Sequence, residues 1–242
     1  MLSPGHIPID RSCKSMRAIV VRHYKTLINA SGLIMGWGDA PPVKGWEADL
    51  IYVNSILDER NIKFSAVYTS FLERARQTGM FYARKRGIRL VHDTIALNEI
   101  NYGTLYRKSK TWVEKNIPEH KKDPDFVYPD GESFRQMQSR SVEFFESLTH
   151  KRQGQTILIV VHAGVIRGFI SHFLGLPYTE NLKRKITHRY IGDFQFKDER
   201  CVRYDELGTP SGFVRDGVIE VPLERPEPPA SQSHLTASPG CI

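Results

Sequence analysis

The chain predicts an α/β fold: three layers, with a mainly parallel sheet covered by helices on both faces and an antiparallel hairpin closing its C-terminal side. Short apolar, β-branched runs alternate with segments of helical period, the order expected of βα units. The strongest run, Thr156–Val161 (TILIVV), lacks polar alternation, as a strand buried on both faces requires. Two late extended runs are separated by only two residues, as in a hairpin.

In order, Arg17–Val21 (RAIVV) reads as the first buried strand. Gly45–Arg60 follows as an amphipathic helix, with Trp46, Leu50, Val53 and Leu57 at spacings of four, three and four. Phe64–Thr69 is the second strand, Phe71–Arg86 a helix and Ile88–Val91 a third short strand. Gly131–His150 carries Phe134, Met137, Phe144, Phe145 and Leu148 along one side of a helix. After Thr156–Val161, Gly164–Leu174 is a helix apolar on more than one side. Tyr190–Phe196 and Glu199–Tyr204 form the hairpin, turning at Lys197–Asp198. No internal repeat is present.

A chain of 242 residues fits one such domain. The body is expected over 16–207. Residues 1–15 read as a flexible extension without the apolar core of a signal peptide. Residues 208–242 read as a second extension, disordered from about Pro222, where Pro and Ser dominate. There is no apolar run near the ~18 residues that a membrane span needs, and Cys241 stands in the wrong place for a prenylation site. Three scattered cysteines, Cys13, Cys201 and Cys241, make neither a disulfide framework nor a CxxC metal site. The expectation is a cytoplasmic protein with no membrane partner and no metal or cofactor.

The net charge is +7. The basic residues are spread over Arg17–Arg22, Arg74–Arg89, Arg107–Lys122 and Lys183–Arg189, with no single block and no RNA-binding aromatic motif. That distribution suits a small anionic substrate better than a nucleic acid.

The chemistry-bearing residues fall just after predicted strand ends, where open α/β sheets place ligands. RAIVV runs into Arg22-His23, FSAVYT into Ser70 and Arg74, TILIVV into His162, and the third strand into Asn98-Glu99. Phosphoryl transfer needs this set. A neutral imidazole is a competent nucleophile, arginines match phosphate oxygens with planar donors, and a glutamate can protonate the leaving oxygen and later activate water. Each residue alone has a plainer reading, as a packed histidine, a surface arginine or a loop carboxylate; their joint placement carries the inference.

In these motifs the sequence resembles the histidine phosphatase superfamily, the group that contains cofactor-dependent phosphoglycerate mutases, fructose-2,6-bisphosphatases and α-ribazole phosphatases. The resemblance runs from about Met16 to about Phe196. Arg22, His23, Thr26 and Asn29 match the opening motif; Ser70, Leu72, Arg74, Ala75 and Thr78 match the second; Asn98, Glu99 and Gly103 match the segment bearing the acid. Pro129, Gly131, Glu132, Ser133 and Arg140 match a Gly-Glu-Ser helix, and His162, Gly164, Val165, Ile166 and Arg167 match the second histidine motif, with Gly175-Leu176-Pro177 following.

The resemblance implies His23 as the phosphorylated nucleophile, Arg22, Arg74 and His162 as phosphoryl ligands, Glu99 as general acid and then base, and Asn29 as a supporting substrate contact. Gly131–Ser133 is expected to start a helix near the pocket, with amides facing an anion or serving only as a helix start. Tyr24 stands where the family has glycine, and is expected to reshape the pocket or reduce activity. Lys25 replaces a frequent acidic residue, and Ala163 follows the second histidine.

Glu99 and His162 are 63 positions apart (162 − 99), too close for the long insertion of the family's mutases. The reading favoured is a phosphatase acting on a small phosphate monoester. The alternatives are a mutase-type phosphotransferase and a non-catalytic phospho-ligand or protein-binding member. Trp37 either stacks on a sugar or base or packs against the fold. Lys108, Lys110, Lys121 and Lys122 either attract an anion or form a solvated face. Tyr102 contacts substrate or packs beside Glu99, and His188 and Arg189 are placed to approach the site.

Overall fold

The computed structural model describes residues 15–208 and 219–220. The expected flexibility of 1–14 and the expected disorder beyond 222 lie outside the described residues. The strands are β1 (Ser15–Arg22), β2 (Ala66–Ser70), β3 (Val91–Thr94), β4 (Thr156–Val161), β5 (Ile191–Lys197), β6 (Arg200–Glu206) and β7 (Ile219–Glu220). The α-helices are α1 (Leu27–Ala30), α2 (Glu47–Glu59), α3 (Glu73–Lys85), α4 (Lys110–Asn116), α5 (Phe134–Lys151), α6 (Ala163–Leu174) and α7 (Tyr178–Asn181).

The sheet order is β3-β2-β4-β1-β5-β6-β7. β3, β2, β4 and β1 run parallel, while β5, β6 and β7 each run antiparallel to the strand before them in the sheet. β7 lies beyond the expected body limit at 207, and Ser15 already belongs to β1.

The two-residue periodicity of strands explains the layers. Ala18 and Val20 of β1, Ala66 and Tyr68 of β2, and Ile157, Ile159 and Val161 of β4 join a core with α5 and α6, through Met137, Phe145, Phe169 and Phe173. Ile19, Val21, Val67, Leu158 and Val160 point the other way, into a core with Leu50, Val53 and Leu57 of α2 and Ala75 and Tyr82 of α3. A strand with both faces buried has no reason to alternate, which is why its sequence is continuously apolar.

Most element ends shift by one to three residues, and at two places the hydrogen bonds and backbone angles give the reason. The third strand is Val91–Thr94, not Ile88–Val91. The Ile88 amide is spent closing α3 on the Ala83 carbonyl, so pairing with β2 starts only at the Leu90 carbonyl, which accepts from Val67 N. The hairpin turns at Asp198-Glu199, one residue later than read. Both residues have positive φ, 46° and 67°, which matches the twist of a two-residue hairpin turn.

Candidate active site

β1 and β4 are parallel neighbours in register, Arg22 beside Val161. The residues after them therefore emerge side by side. The His23 amide bonds to the Val161 carbonyl at 3.0 Å, and the rings of His23 and His162 lie 5.0 Å apart. β2, on the other side of β4, delivers Ser70 and the first turn of α3, with Arg74. The chain after β3 passes through a 3₁₀ turn, Ile95–Leu97, into Asn98-Glu99. Arg22, His23, Asn29, Arg74, Glu99, Tyr102, Lys110 and Arg167 all line one cleft of about 220 Å³. Every site residue predicted from the sequence is there, except that His162 is wholly buried beside His23.

His23 is held in one tautomer. Its Nδ1 lies 2.5 Å from the Tyr24 carbonyl, which can only accept, so Nδ1 carries the proton and Nε2 carries the lone pair. Burial, followed by the charge of Arg74, His162, Arg22 and His188, holds its pKa well below 6.5. The ring is neutral and nucleophilic at neutral pH.

His162 is complementary. Its Nε2 is 2.7 Å from Ser70 Oγ, which also accepts the Leu72 amide. Ser70 Oγ and Nε2 share one proton, and Nδ1 is buried with no partner among the described residues. Burial, then Arg74, Arg22 and Arg140, depresses its pKa well below 6.5 as well.

The arginines are anchored at one end and free at the other. Arg74 donates from Nη1 to Gly38 O (2.7 Å) and Asp39 Oδ1 (3.1 Å), and from Nη2 to Gly36 O (2.7 Å). Gly36 has a φ of 53°, a turn that lets its carbonyl face Arg74. Arg22 donates to Ile186 O, and Arg167 to Arg184 O at 2.8 Å. The Nε of all three is buried with no acceptor among the described residues. Buried donors are rarely left unpaired. Arg22, Arg74 and Arg167 thus bring three guanidinium groups to the lining of one cleft, a cationic surface suited to an anion with several oxygens.

Glu99 completes the cleft. Its Oε2 accepts the Gly164 amide at 3.2 Å, in the first turn of α6, and its Oε1 accepts the Ile100 amide at 2.9 Å. A Cβ on Gly164 would stand 2.1 Å from Glu99 Oε1, so only glycine leaves the carboxylate in place. Arg140 clamps the loop from behind. It donates to the carbonyls of Ala96, Asn98 and Glu99 and pairs with Glu132, whose Oε1 accepts the Asn101 amide. Trp37 Nε1 donates to Glu99 O at 2.6 Å. Trp37 thus ties down the acid's loop through Nε1, while its ring stays exposed at 39%, so both readings of the ring stand.

Other expectations are decided by the contacts. The amides of Gly131, Glu132 and Ser133 bond to Tyr128 O, Asn101 O and Gln136 Oε1, so none is left for an anion; Ser133 is a helix cap and Glu132 an anchor for Arg140. Asn29 lines the cleft with its Oδ1 bonded to the Thr26 amide, which leaves its NH₂ as the donor to a ligand. Tyr24 has no positive φ, and its ring packs against Trp46 at 4.7 Å with its hydroxyl on Gln77, away from the cleft lining. The missing glycine is thus not required by the backbone here. Lys110 lines the cleft, its pKa lowered by burial and then by Arg22, whereas Lys121 pairs with Glu114 and Lys108 lies over Trp112. Arg189 turns away to Asp49. His188 does reach the site, its Nδ1 2.7 Å from His23 O. Sequence reasoning left Arg167 as a motif match without a role, although its position five residues after His162 on α6 faces the cleft.

The depressed imidazoles make a stability prediction. His23, His162 and His188 are all held below 6.5, His188 to about 3, by burial first and then by neighbouring cations. Unfolding returns each ring to its ordinary pKa, so the unfolded chain binds more protons below pH 6.5. Stability is therefore full above 6.5 and is lost as pH falls below it, by up to about 1.4 kcal/mol per pH unit for each ring. Urea unfolding at pH 7 and pH 5.5 should differ by roughly 3 kcal/mol. An equal stability at the two values would contradict the buried neutral state.

The sequence profile of the histidine phosphatase superfamily (branch 1) matches residues 18–204. A 2,3-bisphosphoglycerate-dependent phosphoglycerate mutase of Bartonella tribocorum is 27% identical over 202 residues, covering 79% of this chain and 98% of that protein. Among solved structures, the α-ribazole phosphatase of Shigella flexneri superposes with a TM-score of 0.67 at 23% identity, covering 83% of this chain and all (100%) of that one. A mycobacterial glucosyl-3-phosphoglycerate phosphatase superposes at 0.69 with 17% identity, covering 82% and 100%. With two histidines, the arginines and a glutamate gathered at the carboxyl ends of β1, β2 and β4, the chain belongs to the histidine phosphatase superfamily.

Proposed function

We propose that the protein is a metal-independent phosphatase that hydrolyses a small phosphate monoester through a phosphohistidine on His23. The observation that carries this reading is the convergence on one cleft of the guanidinium groups of Arg22, Arg74 and Arg167 with the Glu99 carboxylate and His23, whose Nδ1 bond to the Tyr24 carbonyl leaves the lone pair on Nε2. In the reaction, the arginines, His162 and the first turn of α6 bind the phosphoryl oxygens. His23 Nε2 attacks phosphorus as the bond to the leaving oxygen breaks, and that oxygen takes a proton from Glu99. Glu99 then accepts a proton from water; the hydroxide attacks phosphorus, the N–P bond breaks and phosphate departs. Glu99 has no place in a pure binder, which favours an enzyme. Lys110 adds positive charge to the cleft beyond the arginines assigned to the phosphoryl group, which supports a substrate with a second anionic group.

A mutase reading is favoured by one observation: the curated relatives named as mutases align with this chain over nearly their whole length, 98% in the first. The two readings differ in the acceptor. Assayed in EDTA against a panel of small phosphate monoesters, a phosphatase releases inorganic phosphate from at least one at a rate set by enzyme concentration. Phosphate appearing only as a transferred group on a second alcohol, with none free, would replace the hydrolase by the mutase.

A further inference from the structure

The peptide that joins His23 to Tyr24 is bonded at both ends by side chains from distant parts of the chain. Its N–H, on Tyr24, donates to Thr78 Oγ1 of α3 at 3.0 Å. Its carbonyl, on His23, accepts from His188 Nδ1 at 2.7 Å. The next carbonyl, of Tyr24, is the one that accepts His23 Nδ1 and so fixes the nucleophile's tautomer. His188 also stands edge-on to the His23 ring, with centroids 5.4 Å apart. It belongs to the connection between α7 and β5, and alternate residues of that connection hold the site: Arg184 O takes Arg167, Ile186 O takes Arg22, and His188 takes His23 O. All three contacts come from this one connection, so a single segment serves the two arginines and the nucleophile's peptide.

We propose that His188 is a positioning residue for the nucleophile: its Nδ1–H holds the His23 carbonyl, and through that peptide it aims His23 Nε2 at phosphorus. This rests on the reading of His23 as nucleophile. The role needs a donor at this point and nothing more from the ring. A carbonyl accepts only, so His188 Nδ1 is protonated in either charge state, and the contact is independent of pH. The ring touches no substrate in this role. Its loss is therefore felt in the attack step and not in the binding of phosphate.

Two nearly isosteric substitutions separate the donor from the packing. In His188→Asn the amide N–H takes the place of Nδ1–H; in His188→Leu the volume stays and the donor goes. With p-nitrophenyl phosphate, His188→Leu should lower kcat by about 10- to 100-fold while KM and inhibition by inorganic phosphate stay within about threefold. His188→Asn should recover most of the loss. Nitrogen NMR of labelled histidines adds a readout that needs no turnover: His23 protonated on Nδ1 and bare on Nε2 in the wild type and in His188→Asn, and a mixture of tautomers in His188→Leu. The proposal is overturned by a Leu variant with wild-type kcat, by equal losses in the two variants, or by a loss confined to KM. If the Leu variant does not fold, the Asn variant decides alone, since it must keep both kcat and the His23 tautomer. If the wild type turns over no monoester, the phosphatase reading fails, and the NMR comparison still decides whether His188 positions His23.

Discussion

Replacing His23 with alanine should lower turnover of any good monoester by a factor on the order of 10⁴ to 10⁶, the scale seen when a covalent nucleophile is removed. The structure provides no substitute. His162, the nearest imidazole, has Nε2 engaged by Ser70 and is wholly buried. His188 has Nδ1 committed to the His23 carbonyl. Water in place of the ring would have to attack a dianion with no base aligned behind it. The anion site itself should survive, because Arg22, Arg74 and Arg167 are held by backbone carbonyls that do not involve the His23 ring. Inorganic phosphate should therefore still bind the His23→Ala protein with near wild-type affinity, which titration calorimetry can measure beside the kinetics. Loss of phosphate binding together with activity would mean that the substitution had collapsed the cleft instead of removing a nucleophile.

Glu99→Gln should show an effect that depends on the leaving group. Glutamine keeps the size and one acceptor for the Gly164 and Ile100 amides, but it has no proton to give and takes none from water. For an alkyl phosphate, whose alkoxide must be protonated as it leaves, the loss should be about 10²- to 10⁴-fold. p-Nitrophenolate leaves without help, so phosphorylation of His23 should remain fast while hydrolysis of the phosphohistidine slows. A stopped-flow trace with p-nitrophenyl phosphate should then show a burst of nitrophenolate equal to one site, followed by a slow phase. With an alkyl phosphate no burst should appear. Equal losses on both substrates, with no burst on either, would remove Glu99 from the proton-transfer role and leave it a structural part of the α6 N-terminus.

Much of this was legible before any coordinates, because the relevant physics is local. A strand buried on both faces writes itself as a continuous apolar run, as in Ala18–Val21 of β1 and Ile157–Val161 of β4. A parallel sheet then gathers whatever follows its strands, so Arg22-His23, Ser70, Arg74 and His162 could be grouped from position alone. What was not legible depends on contacts across the chain. The α3 C-terminus competes with β3 for Ile88, and helix closure wins that residue. Tyr24 read as a disturbance because glycine is usual there; the fold instead gives its ring a seat on Trp46 and its hydroxyl a partner in Gln77. The Gly-Glu-Ser segment reads as an anion-binding or a plain helix start; it is the plain start, capped by Ser133, and Glu132 in addition holds Arg140 and, through it, the Glu99 loop. No spacing rule announces such a relay, since Arg140, Glu132 and Glu99 meet only after α5 has packed.

The most direct test of the whole account is to trap the phosphoenzyme. The protein is mixed with an excess of its best monoester, quenched in base within milliseconds, and examined by intact mass and by peptide mapping. A phosphohistidine survives base and is lost in acid. The account predicts one phosphoryl group per chain, on the peptide carrying His23, absent from His23→Ala and longer-lived in Glu99→Gln. Turnover with no phosphoryl group on His23 in either the wild type or the Glu99→Gln protein would contradict it and require direct attack by water.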